Sequence, residues 1–169
     1  EVMAIGRTFK EALLKGIRSL ETGRKIPPPP ETEMELTRRL AVPHPDRIWD
    51  LFYALSNGRS VESLYDLTHI DTWFLDQIKQ IQEFEREIKR FTFKNIPNSV
   101  LSEAKRIGMS DSHLAGIWDC SEVDIFKKRE EVGLRPVFKR VDTCAAEFES
   151  YTPYLYSTYE DESEADPSL

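Results

Sequence analysis

The residues with the means to do chemistry are few and widely spaced. His44, His69 and His113 are the three imidazoles in 169 residues. His44 stands between two prolines, His69 falls in a turn and His113 in a short helix. None has a second His or Cys three or four residues on, so no helix face presents a metal pair. Cys144 lies in Asp142-Thr-Cys-Ala-Ala-Glu147, where acidic neighbours disfavour the thiolate that a nucleophile needs. Cys120, next to Asp119, reads as a small packing residue. There is no Gly-x-Ser-x-Gly elbow, no Gly-x-Gly-x-x-Gly turn and no phosphate-cradling Walker loop. The acidic run Glu160–Ser168 lacks the glycine that a calcium-binding EF-hand loop places sixth, and it reads as a solvated linker. Catalytic, cofactor-binding and metal-ligating residues are therefore all expected to be absent from this stretch.

Binding is the remaining kind of chemistry. Residues 110–133 have the outline of a helix-turn-helix: two short capped helices, a tight turn, and Lys127-Lys128-Arg129 on the second helix. Base-reading side chains come from the start of such a helix, and here that start carries Glu122 and Asp124, which repel phosphate. A DNA-binding module is thus the alternative reading and not the leading one. The charge distribution agrees. All 23 Lys and Arg lie in residues 1–142, where 23 acids balance them, so the net charge of −7 comes from the seven acids of residues 143–169. A balanced body with an acidic tail has no overall basic footprint for nucleic acid. No apolar run approaches the roughly 18 residues that span a membrane, and no signal-like opening is present. The expectation is a soluble piece excised from a longer chain.

The elements that must position these residues are helices. Prolines 27–30 form an extended break, and Val42–Pro45, Asn95–Ser99 and Gly133–Pro136 are further stops. Thr8 caps a helix with Glu11 as capping-box partner, Phe9, Leu13, Ile17 and Leu20 forming its apolar stripe and Gly23 its stop. Thr32–Leu40 is a short helix with acids early and arginines late, as the helix dipole favours. Asp46 caps Arg47–Ser56, whose inward face is Ile48, Leu51, Phe52 and Leu55. Ser60 starts the next helix, and Asp71 caps the longest, Thr72–Arg90, with Trp73, Phe74, Ile78, Ile81, Phe84 and Ile88 near one face. Asn98–Ile107, Ser110–Ile117 and Ser121–Val132 follow. The sum is an all-α fold, a compact bundle of short helices and helical hairpins. From Val137 the pattern turns β-branched and aromatic, which gives an extended C-terminal segment.

Several word-length stretches add a resemblance. They are Glu1-Val-Met-Ala-Ile-Gly-Arg-Thr8, Leu67-Thr-His-Ile-Asp-Thr-Trp-Phe-Leu75, Gly108-Met-Ser-Asp111, Arg140-Val-Asp-Thr-Cys-Ala-Ala-Glu-Phe148 and Tyr154-Leu-Tyr-Ser-Thr-Tyr-Glu160. In this order and spacing, the chain resembles the large subunit of carbamoyl phosphate synthase over essentially its whole length. The resemblance implies a central helical oligomerisation domain between two homologous ATP-grasp halves. The first half makes carboxyphosphate and then carbamate; the second phosphorylates carbamate. It further implies ATP with Mg or Mn, and a glutaminase small subunit, as cofactors and partner of the parent enzyme, which feeds pyrimidine and arginine synthesis. A cytoplasmic setting follows, or a plastid in a plant.

On this reading residues 1–25 end the first ATP-grasp half, 26–139 are the oligomerisation domain, and 140–169 form an acidic connection to the second half. Residues 26–36 depart from the longer, polar connection common in the family. The apolar side of the Thr32–Leu40 helix, Met34, Leu36 and Leu40, is the expected self-association face, because a short helix pinned between proline breaks has little core to join; the equal alternative is that it packs on Arg47–Ser56, as small helices gain stability from tertiary packing.

Overall fold

A computed structural model of the chain describes residues 2–20, 26–145 and 147–165. Helices dominate: eight are found among the described residues, with one small two-stranded sheet, so the all-α expectation holds. They fall into two compact units, Glu21–Arg90 on the one hand and Glu1–Leu20 with Phe91–Leu169 on the other.

The Glu21–Arg90 unit holds α2 (Glu33–Ala41), α3 (Arg47–Ser56), α4 (Val61–Thr68) and α5 (Thr72–Ile88). Side-chain caps start three of them. Thr32 accepts from the Glu35 amide at 3.1 Å, Ser60 from that of Ser63 at 3.1 Å, and Asp71 from that of Trp73 at 2.8 Å. Asp46 precedes α3 as expected but makes no side-chain capping bond; its backbone is turn-like (φ −94°, ψ 1°) and not extended as a capping residue's normally is. Two left-handed residues punctuate the unit: Gly58 after α3 (φ 85°) and His69 after α4 (φ 54°). The core is Leu36 and Leu40 of α2, Leu51, Ala54 and Leu55 of α3, Val61 and Leu64 of α4, and Leu75, Ile78, Ile81 and Ile88 of α5. Each fully buried Leu or Ile is worth roughly 1.5–3 kcal/mol.

Two inward faces differ from expectation. In α3, Asp50 and Ala54 are buried where Ile48 and Phe52 stay half-exposed, because the Asp50 carboxylate meets Arg39 and lies beside His44. In α5 the stripe runs through Leu75, and Trp73 and Phe74 are exposed. Successive helical side chains diverge by about 100°, so residues 73 and 74 cannot share the face of residue 75.

The second unit holds α1 (Phe9–Arg18), α6 (Asn98–Arg106), α7 (Asp111–Trp118), α8 (Glu122–Glu131), β1 (Val137–Arg140) and β2 (Leu155–Thr158). Thr8 caps α1, accepting from the Glu11 amide at 3.2 Å. Glu11 answers one residue further back than a capping box requires, accepting the Arg7 amide at 2.7 Å. The expected stop, Gly23, lies outside the described residues. The inward face of α1 is Glu11 and Leu14; Phe9, Leu13 and Ile17 are half-buried and Leu20 is exposed. The reason is the turn between α6 and α7. Gly108 (φ 102°) comes so close to α1 that a Cβ there would stand 2.9 Å from Glu11 Cα. The core of this unit includes Ile96, Leu101, Ala104, Met109, Leu114 and Ile125. Ser121 and Asp124 form a full capping box at α8. The extended segment is ordered by pairing with itself: β1 and β2 are antiparallel, with Val137 opposite Thr158 and Arg140 opposite Leu155.

Candidate functional site

The three expected residues of α2 part ways: Met34 is 82% exposed, Leu36 3% and Leu40 0%. The two leucines hold α2 onto its own unit, and Met34 alone of the three projects into solvent. The orientation of α2 is fixed electrostatically as well. Arg39 Nη2 reaches Asp50 of α3 at 2.6 Å, and Arg39 Nη1 donates to the Pro28 carbonyl at 3.3 Å. His44 is drawn into this knot, with Nε2 3.1 Å from both Asp50 Oδ2 and the Arg39 carbonyl. The Arg39 carbonyl can only accept, so that contact is made by the tautomer with the proton on Nε2. At the other end Arg59 binds Glu33 at 2.9 Å and the Thr37 hydroxyl at 3.1 Å. In the same unit Tyr65, Trp73 and Phe74 are exposed aromatics, Trp73 and Phe74 meeting edge to face at 5.0 Å.

The second unit contains a charge cluster that reading the sequence did not find. Lys105 of α6 donates to the Met109 carbonyl at 2.6 Å and to Asp111 Oδ1 at 2.7 Å. Arg129 of α8 grips the same carboxylate with Nε at 3.0 Å and Nη2 at 2.6 Å, and its Nη1 donates to the Leu134 carbonyl at 3.1 Å. Tyr159, just past β2, lies over both cations, 5.2 Å from Lys105 Nζ and 5.7 Å from Arg129 Cζ. Two cations thus share one carboxylate in a largely buried setting. Burial pulls the Lys105 ammonium below its ordinary pKa, with Asp111 opposing. For Asp111 burial pushes the other way, yet the bonds from Arg129 and Lys105 outweigh it and hold the carboxyl below its usual range. Burial also pushes the Tyr159 phenol up, with Arg129 opposing. The spacing of Lys105, Asp111 and Arg129 across two turns gave no signal in the sequence.

This cluster decides what the α7–α8 hairpin can do. Of the basic triplet on α8, Arg129 is committed to Asp111, and Lys128 donates to the Phe93 carbonyl at 2.8 Å. A recognition helix needs such cations facing outward to phosphate. Nor does a reactive thiol emerge: burial, then Asp124 and Asp119, push the Cys120 thiol up. Cys144 sits in an exposed turn, its amide donating to Asp142 at 2.8 Å. Among the described residues no group of three or more His, Cys, Asp or Glu is placed to hold a metal ion, and no helix is long and apolar enough to cross a membrane.

A third cluster joins the two outer segments of this unit. Lys15 of α1 donates to Glu11 Oε1 at 2.8 Å, to the Ile5 carbonyl at 2.9 Å and to the Ser157 carbonyl of β2, under the Tyr156 ring at 5.6 Å. Arg7 binds Glu160 at 2.8 Å, which raises the guanidinium pKa further. The Glu11/Lys15 spacing of four on a helix was the available sequence signal.

Fold and sites together define a class: a helical packing module with ion pairs buried among its helices. Sequence comparison is more particular. The family described as carbamoyl-phosphate synthetase large chain, oligomerisation domain, matches residues 1–133. Relatives named carbamoyl phosphate synthase large chain include that of Archaeoglobus fulgidus, 48% identical over 98% of this chain and 16% of its own length, and that of Thermotoga neapolitana, 49% identical over 99% and 15%. The Aquifex aeolicus large chain, N-terminal section, is 46% identical over 95% of this chain and 29% of its own. The chain therefore belongs to the carbamoyl-phosphate synthetase large-chain family, as its oligomerisation domain. It spans about a sixth of the length of the full-length relatives.

Proposed function

We propose that the chain is the self-associating spacer of an ATP-dependent ligase that makes carbamoyl phosphate from bicarbonate, glutamine-derived ammonia and two ATP. Residues 1–25 would close a preceding ATP-grasp half, 26–139 form the oligomerisation domain, and 140–169 lead to a second half. ATP and Mg or Mn then belong to those halves, and a glutaminase small subunit supplies the ammonia. The chain itself carries no catalytic step, and the parent works in the cytoplasm, or in a plastid in a plant. The observation that carries the reading is the match of the oligomerisation-domain family to residues 1–133. Its physical support is an exposed Met34 on a helix whose orientation is fixed by Leu36, Leu40 and the Arg39–Asp50 pair. Met34 is the contact on this reading, and the leucines hold it in place.

Sedimentation velocity on the full-length large chain tests this. Met34→Glu is expected to shift the distribution toward the smaller species with the melting temperature unchanged. An unchanged distribution removes α2 as the contact, and ATP hydrolysis above blank by the 169-residue chain contradicts the non-catalytic spacer.

A further inference from the structure

We infer that Lys15 is a positioning residue for the parent reaction: it locks the segment before α1 to the strand β2 and so fixes one flank of the module against the other. This rests on the proposed function, in which those two segments lead to the two ATP-grasp halves. An ammonium has three N–H donors, and each of these has an acceptor. Glu11 Oε1 lies on its own helix, the Ile5 carbonyl on the segment leading in and the Ser157 carbonyl on the strand leading out. Glu11 and Ile5 are near Lys15 in sequence, the latter 10 residues away, whereas Ser157 lies 142 residues from it.

The surroundings are built for this junction. Glu11 is 2% exposed and divides its carboxylate between Lys15 and the Arg7 amide. Gly6 is required where the lead-in folds back, because a Cβ there would stand 2.7 Å from the Ala12 nitrogen. Tyr156 covers the ammonium from the strand side. Arg7–Glu160, at the surface, repeats the same connection between the same two segments. Nothing in this arrangement touches a reacting group. What it controls is the relative placement of the segments on either side, and misplacement of reacting groups by about 1 Å can cost on the order of 10²-fold. Carbamate released to water decomposes, so loosened flanks should waste ATP rather than stop its hydrolysis.

The test uses the full-length large chain with its small subunit. ATP consumed is compared with carbamoyl phosphate formed, alongside bicarbonate-dependent ATP hydrolysis without an ammonia source. Lys15→Met is expected to leave that partial hydrolysis within about twofold of wild type and to raise ATP used per product at least about threefold, as expected of lost positioning. Arg7→Gln, which removes only the exposed connection, shifts the ratio the same way by less and serves alone if Lys15→Met does not fold. A merely structural role predicts that all rates fall in proportion, with the ratio unchanged; an unchanged ratio in a folded variant overturns the inference. A wild-type enzyme that forms no carbamoyl phosphate would instead defeat the proposed function.

Discussion

The Lys105–Asp111–Arg129 cluster makes a prediction in which the three members are unequal. Asp111 is the one anion between two buried cations. Asp111→Asn leaves both without a counter-charge, and removing one partner of a buried pair costs about 3–5 kcal/mol. Lys105→Met leaves a matched Asp111–Arg129 pair. It orphans the Met109 carbonyl, which costs ~1–3 kcal/mol, but removes a cation that burial already disfavours, so the net is nearer ~1 kcal/mol. Urea unfolding in a Trp49→Phe/Trp73→Phe background reports this unit through Trp118 of α7. With a slope of ~2 kcal/mol/M, the midpoint falls by roughly 2 M for Asp111→Asn and by less than ~1 M for Lys105→Met. The pH dependence carries a sign. The folded pKa of Asp111 is depressed, so its contribution is complete above the unfolded value and fades as pH falls through the lower folded value. The gap between wild type and Asp111→Asn should therefore narrow in acid. A Lys105→Met loss equal to or larger than that of Asp111→Asn would refute the picture of two cations sharing one anion.

Three other outcomes follow from single positions. Leu36→Glu should unfold the Glu21–Arg90 unit, because it buries an unpaired carboxylate, whereas Met34→Glu should leave its melting temperature within ~2 °C; thermal melts of the two variants separate interface from core. Gly108→Ala forces a side chain into φ 102° and onto Glu11 Cα, so at least ~1–3 kcal/mol is lost, read as a drop of several degrees at roughly 2–4 °C per kcal/mol. Tyr159 has a raised folded pKa, so its contribution is complete below the unfolded value and is lost as pH rises through the folded one; Tyr159→Phe should abolish that alkaline loss in a urea-midpoint series.

Much of the helical frame was legible in the sequence because caps and stops are local. Thr8, Thr32, Ser60, Asp71 and Ser121 each announce a helix within three residues, and Gly58, Gly108 and Gly133 occupy left-handed positions that favour glycine. Inward faces were less legible, since they depend on what approaches from afar. Glu11 is buried in α1 because Lys15, the Arg7 amide and the Gly108 turn meet it, and no periodicity of apolar residues signals that. Asp50 is buried in α3 for the same kind of reason, with Arg39 and His44 as its partners. The charge clusters were the least legible: Asp111 and Arg129 lie 18 residues apart and on different helices.

The acidic tail changes meaning in the same way. Counted along the sequence, it holds the whole net charge and reads as a solvated linker. In space its acids meet cations of the balanced body: Glu160 binds Arg7 and Lys139, Asp161 lies 3.6 Å from Arg106, and Glu164 takes Lys139 at 3.3 Å and the Arg140 amide at 2.8 Å. These surface pairs are individually weak, each worth about 0–1 kcal/mol. Their number and their shared direction matter more, because all of them draw the segment after β2 toward β1, α6 and the segment before α1. Salt should weaken Arg7–Glu160 and Arg106–Asp161 most and the contacts of the less exposed Lys139 and Lys15 ammoniums least, since exposed charges are screened and buried ones much less. The segment is thus held at two levels: the half-buried Lys15 ammonium fixes where β2 runs, and a screenable set of surface charges sets how closely the rest follows it.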